Sequence, residues 1–156
     1  MNNTQKQLQH LETLAAGNQD TLIEVHTLFP FQIFPGILTV EKTKIEFTQY
    51  HWLNKVTESM LIQDIASIKI HTYIFTATLE IGSKLPNPGL SMLTIANLPI
   101  TEARSAMDIM QGLKVSFDAR IDIAAIPTDQ VVASVQEIGT NKEFSDEQNP
   151  LLKNVS

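Results

Sequence analysis

The stretch LFPFQIFPGILTVEKTKIEF, Leu28 to Phe47, carries two different patterns. Its first half sets Phe29, Phe31, Ile33 and Phe34 around two prolines and ends at Gly36. Its second half alternates across a two-residue break at Lys42-Thr43, with Leu38, Val40, Ile45 and Phe47 on one apolar face. Alternation at a period of two across a short polar break is a β-hairpin, here Ile37–Glu41 with Lys44–His51. Pro30 cannot donate to a ladder and suits an edge or a bend. Pro35-Gly36 then turns the chain into the hairpin. Phe29 and Phe31 are expected to close a first strand, Leu22–Phe29, and to feed the core. That leaves Ile33 and Phe34 at the tip of the connection, directed either into the core or out to a partner.

The same period continues outward. Val56–Gln63 reads as a strand with Val56, Met60 and Ile62 inward, and Ser67–Thr72 as one with Ile68 and Ile70 inward. Phe75–Ile81 places Phe75, Ala77, Leu79 and Ile81 on one face, and Leu90–Ala96 completes seven strands rich in β-branched residues. Gly82–Gly89, GSKLPNPG, is dense in turn residues and predicts a long exposed loop.

On either side the period changes to that of a helix. Thr4–Ala16 carries a Thr-x-x-Gln capping box and a Leu8, Leu11, Leu14, Ala15 stripe, with Gly17 beyond it. After Pro99, Ala103, Ala106, Met107, Met110, Leu113 and Phe117 recur at three and four, with Thr101 as the expected N-cap and Glu102 at the positive end of the helix dipole. Gly112 is expected to let this helix approach a sheet. A second helix, Asp129–Ile138, is expected to end at Gly139. The chain thus divides into an N-terminal helix (1–20), a β-rich domain with its helix (21–120), a helical extension (121–140) and a flexible polar tail (141–156).

The 156 residues carry 11 Lys and Arg against 17 Asp and Glu, a net charge of −6, and the bases are scattered singly. No basic stripe forms, so nucleic acid is not the expected partner. The absence of Cys removes disulfides and thiolate chemistry. No apolar run spans a bilayer and no signal-type segment opens the chain, so a cytoplasmic location is expected, with a peripheral membrane one as the alternative.

Seven short antiparallel strands followed by one amphipathic helix resemble the pleckstrin-homology layout, and the residues are similar to those of its bacterial, pleckstrin-homology-like family. The resemblance runs from about residue 21 to residue 139. It rests on the Phe-Pro entry and hairpin quoted above, on SMLIQDIASIKIHT around Asp64, on FTATLEI, on AMDIMQGL, and on IDIAAIPTDQVVASVQEIG. It implies a mainly β fold, a split barrel of seven strands capped by a C-terminal helix, with the short N-terminal helix and the helical extension added. It also implies a non-enzymatic binding or scaffolding module with no cofactor.

The candidate contacts are Ile33, Phe34, Trp52, Lys42 and Lys44. Trp52 is the one tryptophan, in YHWLN between two strands. It is either an exposed anchor for a partner or membrane, or a cap on the open end of the barrel. Lys42 and Lys44 flank a turn, and with Lys55 they are the only bases near the first hairpins; three lysines without arginine make a thin anion site. His26, His51 and His71 share no metal-ligand spacing. No nucleophile elbow or Gly-rich phosphate loop occurs, and Asp64 is expected to hold a turn through its backbone. A protein or peptide partner is the first expectation and a membrane surface the second. Pairing of two copies through the N-terminal helix is a third.

Overall fold

A computed structural model describes residues 20–85 and 91–147. The expected N-terminal helix, and with it the pairing of copies through that helix, lies outside the described residues, as does the second half of the Gly82–Gly89 loop. Seven strands come first: β1 (Thr21–His26), β2 (Gly36–Glu41), β3 (Lys44–Tyr50), β4 (Lys55–Leu61), β5 (Ile65–Thr72), β6 (Thr76–Ser83) and β7 (Met92–Pro99). Two helices follow, α1 (Ile100–Asp118) and α2 (Thr128–Glu147). The strands form two antiparallel sheets, β1-β2-β3-β4 and β5-β6-β7, that do not close into a barrel.

The hairpin is as its alternation predicts. Leu38 lies opposite Phe47 and Val40 opposite Ile45, and all four are buried. The other sheet contributes Ala77, Leu79, Ile81, Leu93 and Ile95, and α1 covers this core with Ala103, Ala106, Met107, Met110 and Leu113. A body with no cysteines is held here chiefly by apolar burial and backbone ladders.

Strand β7 breaks its own alternation. Leu93 and Ile95 face inward, but the next buried residue is Leu98, three positions on. Ala77 pairs with Leu98 while Leu79 pairs with Ile95, so two steps on β6 match three on β7. The extra residue is taken up at Asn97, whose φ is 61°, a left-handed conformation that Asn tolerates better than most side chains.

At the opposite side, the chain turns from β4 to β5 through a 3-10 turn at Ile62–Asp64. The Ile62 amide donates to Thr43 O at 2.9 Å, and the Lys84 amide donates to Asp64 O at 2.7 Å. Asp64 does hold its corner by its backbone, tying the β4–β5 turn to the end of β6. Ile62 is buried in this turn rather than in a strand.

Other expectations are corrected. β1 stops at His26, and Phe29 and Phe31 stand in solvent beyond it instead of feeding the core. Phe75 precedes β6 in a turn closed by Tyr73 N–H to Thr76 O at 2.7 Å, so it points out. Val56 is exposed because β4 is an edge strand, and position 56 pairs with Gln49 beyond the core. Thr101 is not the N-cap; α1 begins at Ile100, with Pro99 in the capping position and no side-chain cap. Phe117 is half exposed at the last turn of α1.

The two helices pack on each other through glycine. A Cβ placed on Gly112 of α1 would lie 2.7 Å from Val135 Cα, and one on Gly139 of α2 would lie 2.9 Å from Asp108 Cα, with the carbonyls nearer still. Gly112 therefore admits a helix, not a sheet. Gly139 does not end α2, which runs on to Glu147 into what reads as tail in the sequence.

Candidate interaction surface

Antiparallel strands put alternate connections at the same end. In the four-stranded sheet, the β1–β2 connection and the β3–β4 turn share one end, and the β2–β3 turn lies at the other. Specific bonds make the first of these ends a single structure. Thr27 N–H donates to Gly36 O at 2.9 Å and Gly36 N–H to Thr27 Oγ1 at 2.8 Å, closing the base of the β1–β2 connection. Tyr50 N–H donates to Pro35 O at 3.1 Å, and the Phe34 and His51 rings meet at 6.1 Å, joining that connection to the β3–β4 turn.

The bulge in β7 brings in the second sheet. Leu28 N–H donates to Asn97 O at 2.8 Å, and the Asn97 side-chain amide donates to Phe31 O at 3.4 Å. Two residues further along β7, Pro99 pairs with Thr76, the first residue after the β5–β6 turn. All three connections therefore gather at one pole of the β body, around the end of β7.

The pole is apolar and exposed. On the β1–β2 connection Phe29 and Ile33 are each 79% exposed. On the β3–β4 turn Trp52 is 84% and Leu53 92% exposed. On the β5–β6 turn Ile74 is 85% exposed, flanked by exposed Tyr73 and Phe75. Isolated surface apolar residues need no explanation, but a set gathered at one end by three connections makes this pole the candidate interaction surface.

Its charge departs from that of the chain. Thr27–Pro35, Tyr50–Lys55 and His71–Phe75 contain no Asp or Glu, although the whole chain carries 17 of them. They hold Lys55, His51 and His71. The Lys55 ammonium sits 6.0 Å from the Tyr50 ring centroid, in cation–π range. The first turn of α1, next along the chain, adds exposed Glu102 and Arg104, which balance.

Of the five candidate residues, Ile33, Phe34 and Trp52 come together here. Ile33 points out, Phe34 is half-buried against His51, and Trp52 is exposed rather than a cap on a barrel end. The lysines do not join them; both belong to the β2–β3 turn at the opposite pole. The Lys42 side chain is only 8% exposed and is committed inward, donating to Ile126 O at 3.0 Å with the Asp20 carboxylate 3.5 Å away. It lines a cleft of about 520 Å³ that also holds Asp20, Asp129 and the segment leading into α2, so its charge is answered within the fold. Lys44 lies between Glu46 at 2.6 Å and Glu41 at 3.7 Å. The hydrogen bond to Glu46 holds its ammonium above the ordinary 10.5 despite some desolvation, and Glu41 adds to the effect. Neither lysine is poised for an external anion.

The three described histidines each have a different neighbour. His26 meets Glu24 at 2.9 Å, His71 meets Glu80 at 3.3 Å, and His51 meets Phe34. Among the described residues no three His, Asp or Glu are arranged to hold a metal ion, and no helix is long and apolar enough to cross a membrane.

Leu53, Ile74, Phe75, Phe29 and Phe31 complete the surface, and sequence reasoning either passed over them or assigned them to the core. Pro30 between two phenylalanines is the one available signal that Phe29 and Phe31 leave the ladder. The β5–β6 turn contains no Gly, Pro, Asn or Asp, so nothing marks it as a turn. No protein-family model, curated protein or solved structure matches this chain.

Proposed function

We propose that the chain is a non-enzymatic binding module of pleckstrin-homology-like type that docks onto a larger assembly through its apolar pole. The observation that carries this reading is the convergence of three connections bearing exposed Phe29, Ile33, Trp52, Leu53 and Ile74. Four strands, then three, then a helix packed over the shared core support the family part of the reading. The inward commitment of Lys42 and the ion pairs of Lys44 weigh against a docking mode built on the β2–β3 turn.

A side chain such as Trp52 or Leu53 left in water forgoes roughly 1.5–3 kcal/mol that burial would return. Docking recovers that energy, and several tips acting together suffice for a specific complex. Fractionation of native cell lysates tests the proposal. The wild-type chain is expected to travel with a larger particle or membrane fraction, and a Leu53→Asp/Ile74→Asp variant to travel as the free protein. A wild-type chain that already runs free, or a variant that fractionates unchanged, contradicts it.

A further inference from the structure

We infer that the apolar pole seats on the phosphate-headgroup interface of a lipid bilayer by inserting its side chains, without a basic clamp on any headgroup. This rests on the docking reading above and names the surface that is docked upon.

Three features select lipid over another protein surface. The first is shape. The apolar residues stand on three separate connections, Phe29 and Ile33 on the first, Trp52 and Leu53 on the second at 84% and 92% exposure, and Ile74 on the third at 85%. Such projecting tips suit a yielding medium, whereas protein hot spots pack into fitted pockets. The second is composition. Trp52, Tyr50 and Tyr73 are the aromatic types with one polar atom, which favour the water–hydrocarbon boundary, and Phe, Leu and Ile residues stand beside them. The third is charge. The three connections carry no carboxylate in a chain of net charge −6 and present Lys55, a sign complementary to lipid phosphate. The lysines best placed in the sequence for a headgroup clamp, Lys42 and Lys44, face away at the opposite pole.

Insertion of this kind follows apolar area first and lipid charge second. Vesicles of phosphatidylcholine alone, and of phosphatidylcholine mixed with phosphatidylglycerol, are the probes, read by flotation and by the emission of Trp52, the one tryptophan. The full chain is expected to float with both and its emission to move to the blue on both. Leu53→Asp is expected to weaken partition on the order of 10-fold or more, as loss of one buried Leu implies. Lys55→Gln is expected to reduce only the gain given by phosphatidylglycerol, and Lys44→Gln to change nothing. Far-ultraviolet circular dichroism checks that each variant folds.

Several results overturn the inference. Failure to float with either vesicle does so, and if the pole variants still change fractionation in the cell, docking stands and its partner is a protein. Binding only to phosphatidylglycerol vesicles, lost in Lys44→Gln, restores a charge-clamp mode. A blue shift that grows with protein concentration in the absence of vesicles assigns the pole to a second copy of the chain.

Discussion

The Asn97 side chain donates to the Phe31 carbonyl at 3.4 Å, while its own carbonyl receives the Leu28 amide at 2.8 Å. One residue in a left-handed conformation, in the three-stranded sheet, thus holds the connection that carries the exposed phenylalanines of the four-stranded sheet. Asn97→Ala removes the amide and puts a poorly suited side chain at φ 61°, and is expected to cost about 1–3 kcal/mol in urea unfolding. Asn97→Gly keeps the backbone and loses only a long hydrogen bond, so it is expected to cost less than the alanine variant. Equal losses contradict the role given to the conformation.

Gly112 and Gly139 make a second test of packing. In an isolated helix, Gly→Ala adds about 1 kcal/mol of stability. Here a methyl at either position lands within contact distance of the opposing helix backbone. Overpacking of that kind costs about 1–3 kcal/mol, and backbone cannot move aside as a side chain can. Gly112→Ala and Gly139→Ala are each expected to lower the denaturation midpoint. A rise in either variant would mean that α1 and α2 do not meet at these glycines.

Trp52 separates surface from core. An exposed side chain can be replaced with a change of within about 0.5 kcal/mol, whereas a tryptophan capping a core would cost several. Trp52→Ser is expected to leave the urea midpoint nearly unchanged while abolishing intrinsic tryptophan emission.

Alkaline pH probes the opposite pole. The folded Lys44 ammonium is held above 10.5, chiefly by its hydrogen bond to Glu46. A raised pKa means the folded state keeps the proton longer, so the contribution is complete below about 10.5 and fades as pH climbs through the higher folded value. The pair is partly exposed, at 37% for Lys44 and 31% for Glu46, so its worth is on the order of 1 kcal/mol or less. Glu46→Gln is expected to flatten that alkaline decline in a stability-versus-pH series. A decline of the same steepness in the variant rules the pair out as its cause.

Much of the fold is legible in the residues. The Leu38–Phe47 hairpin face and the α1 stripe follow from periodicity, because each has one buried side and one wet one. The surface is harder to read. Phe29, Phe31 and Phe75 look like strand interiors because apolar alternation runs through them, and only tertiary geometry reveals that β1 stops at His26 and that β6 begins at Thr76. Asn97 gives no warning of a bulge, since one extra residue shifts the parity of β7 without changing its composition. The inward turn of Lys42 depends on Ile126, 84 residues away, a separation no local pattern encodes.

The central claim is that the pole, and no other surface, meets the partner. Placing a photo-cross-linking amino acid at position 52 in living cells tests it most directly, with position 84, exposed at the opposite pole, as the control. The account predicts adducts at 52, to lipid if insertion holds, and little or none at 84. Adducts at 84 with none at 52 would contradict it.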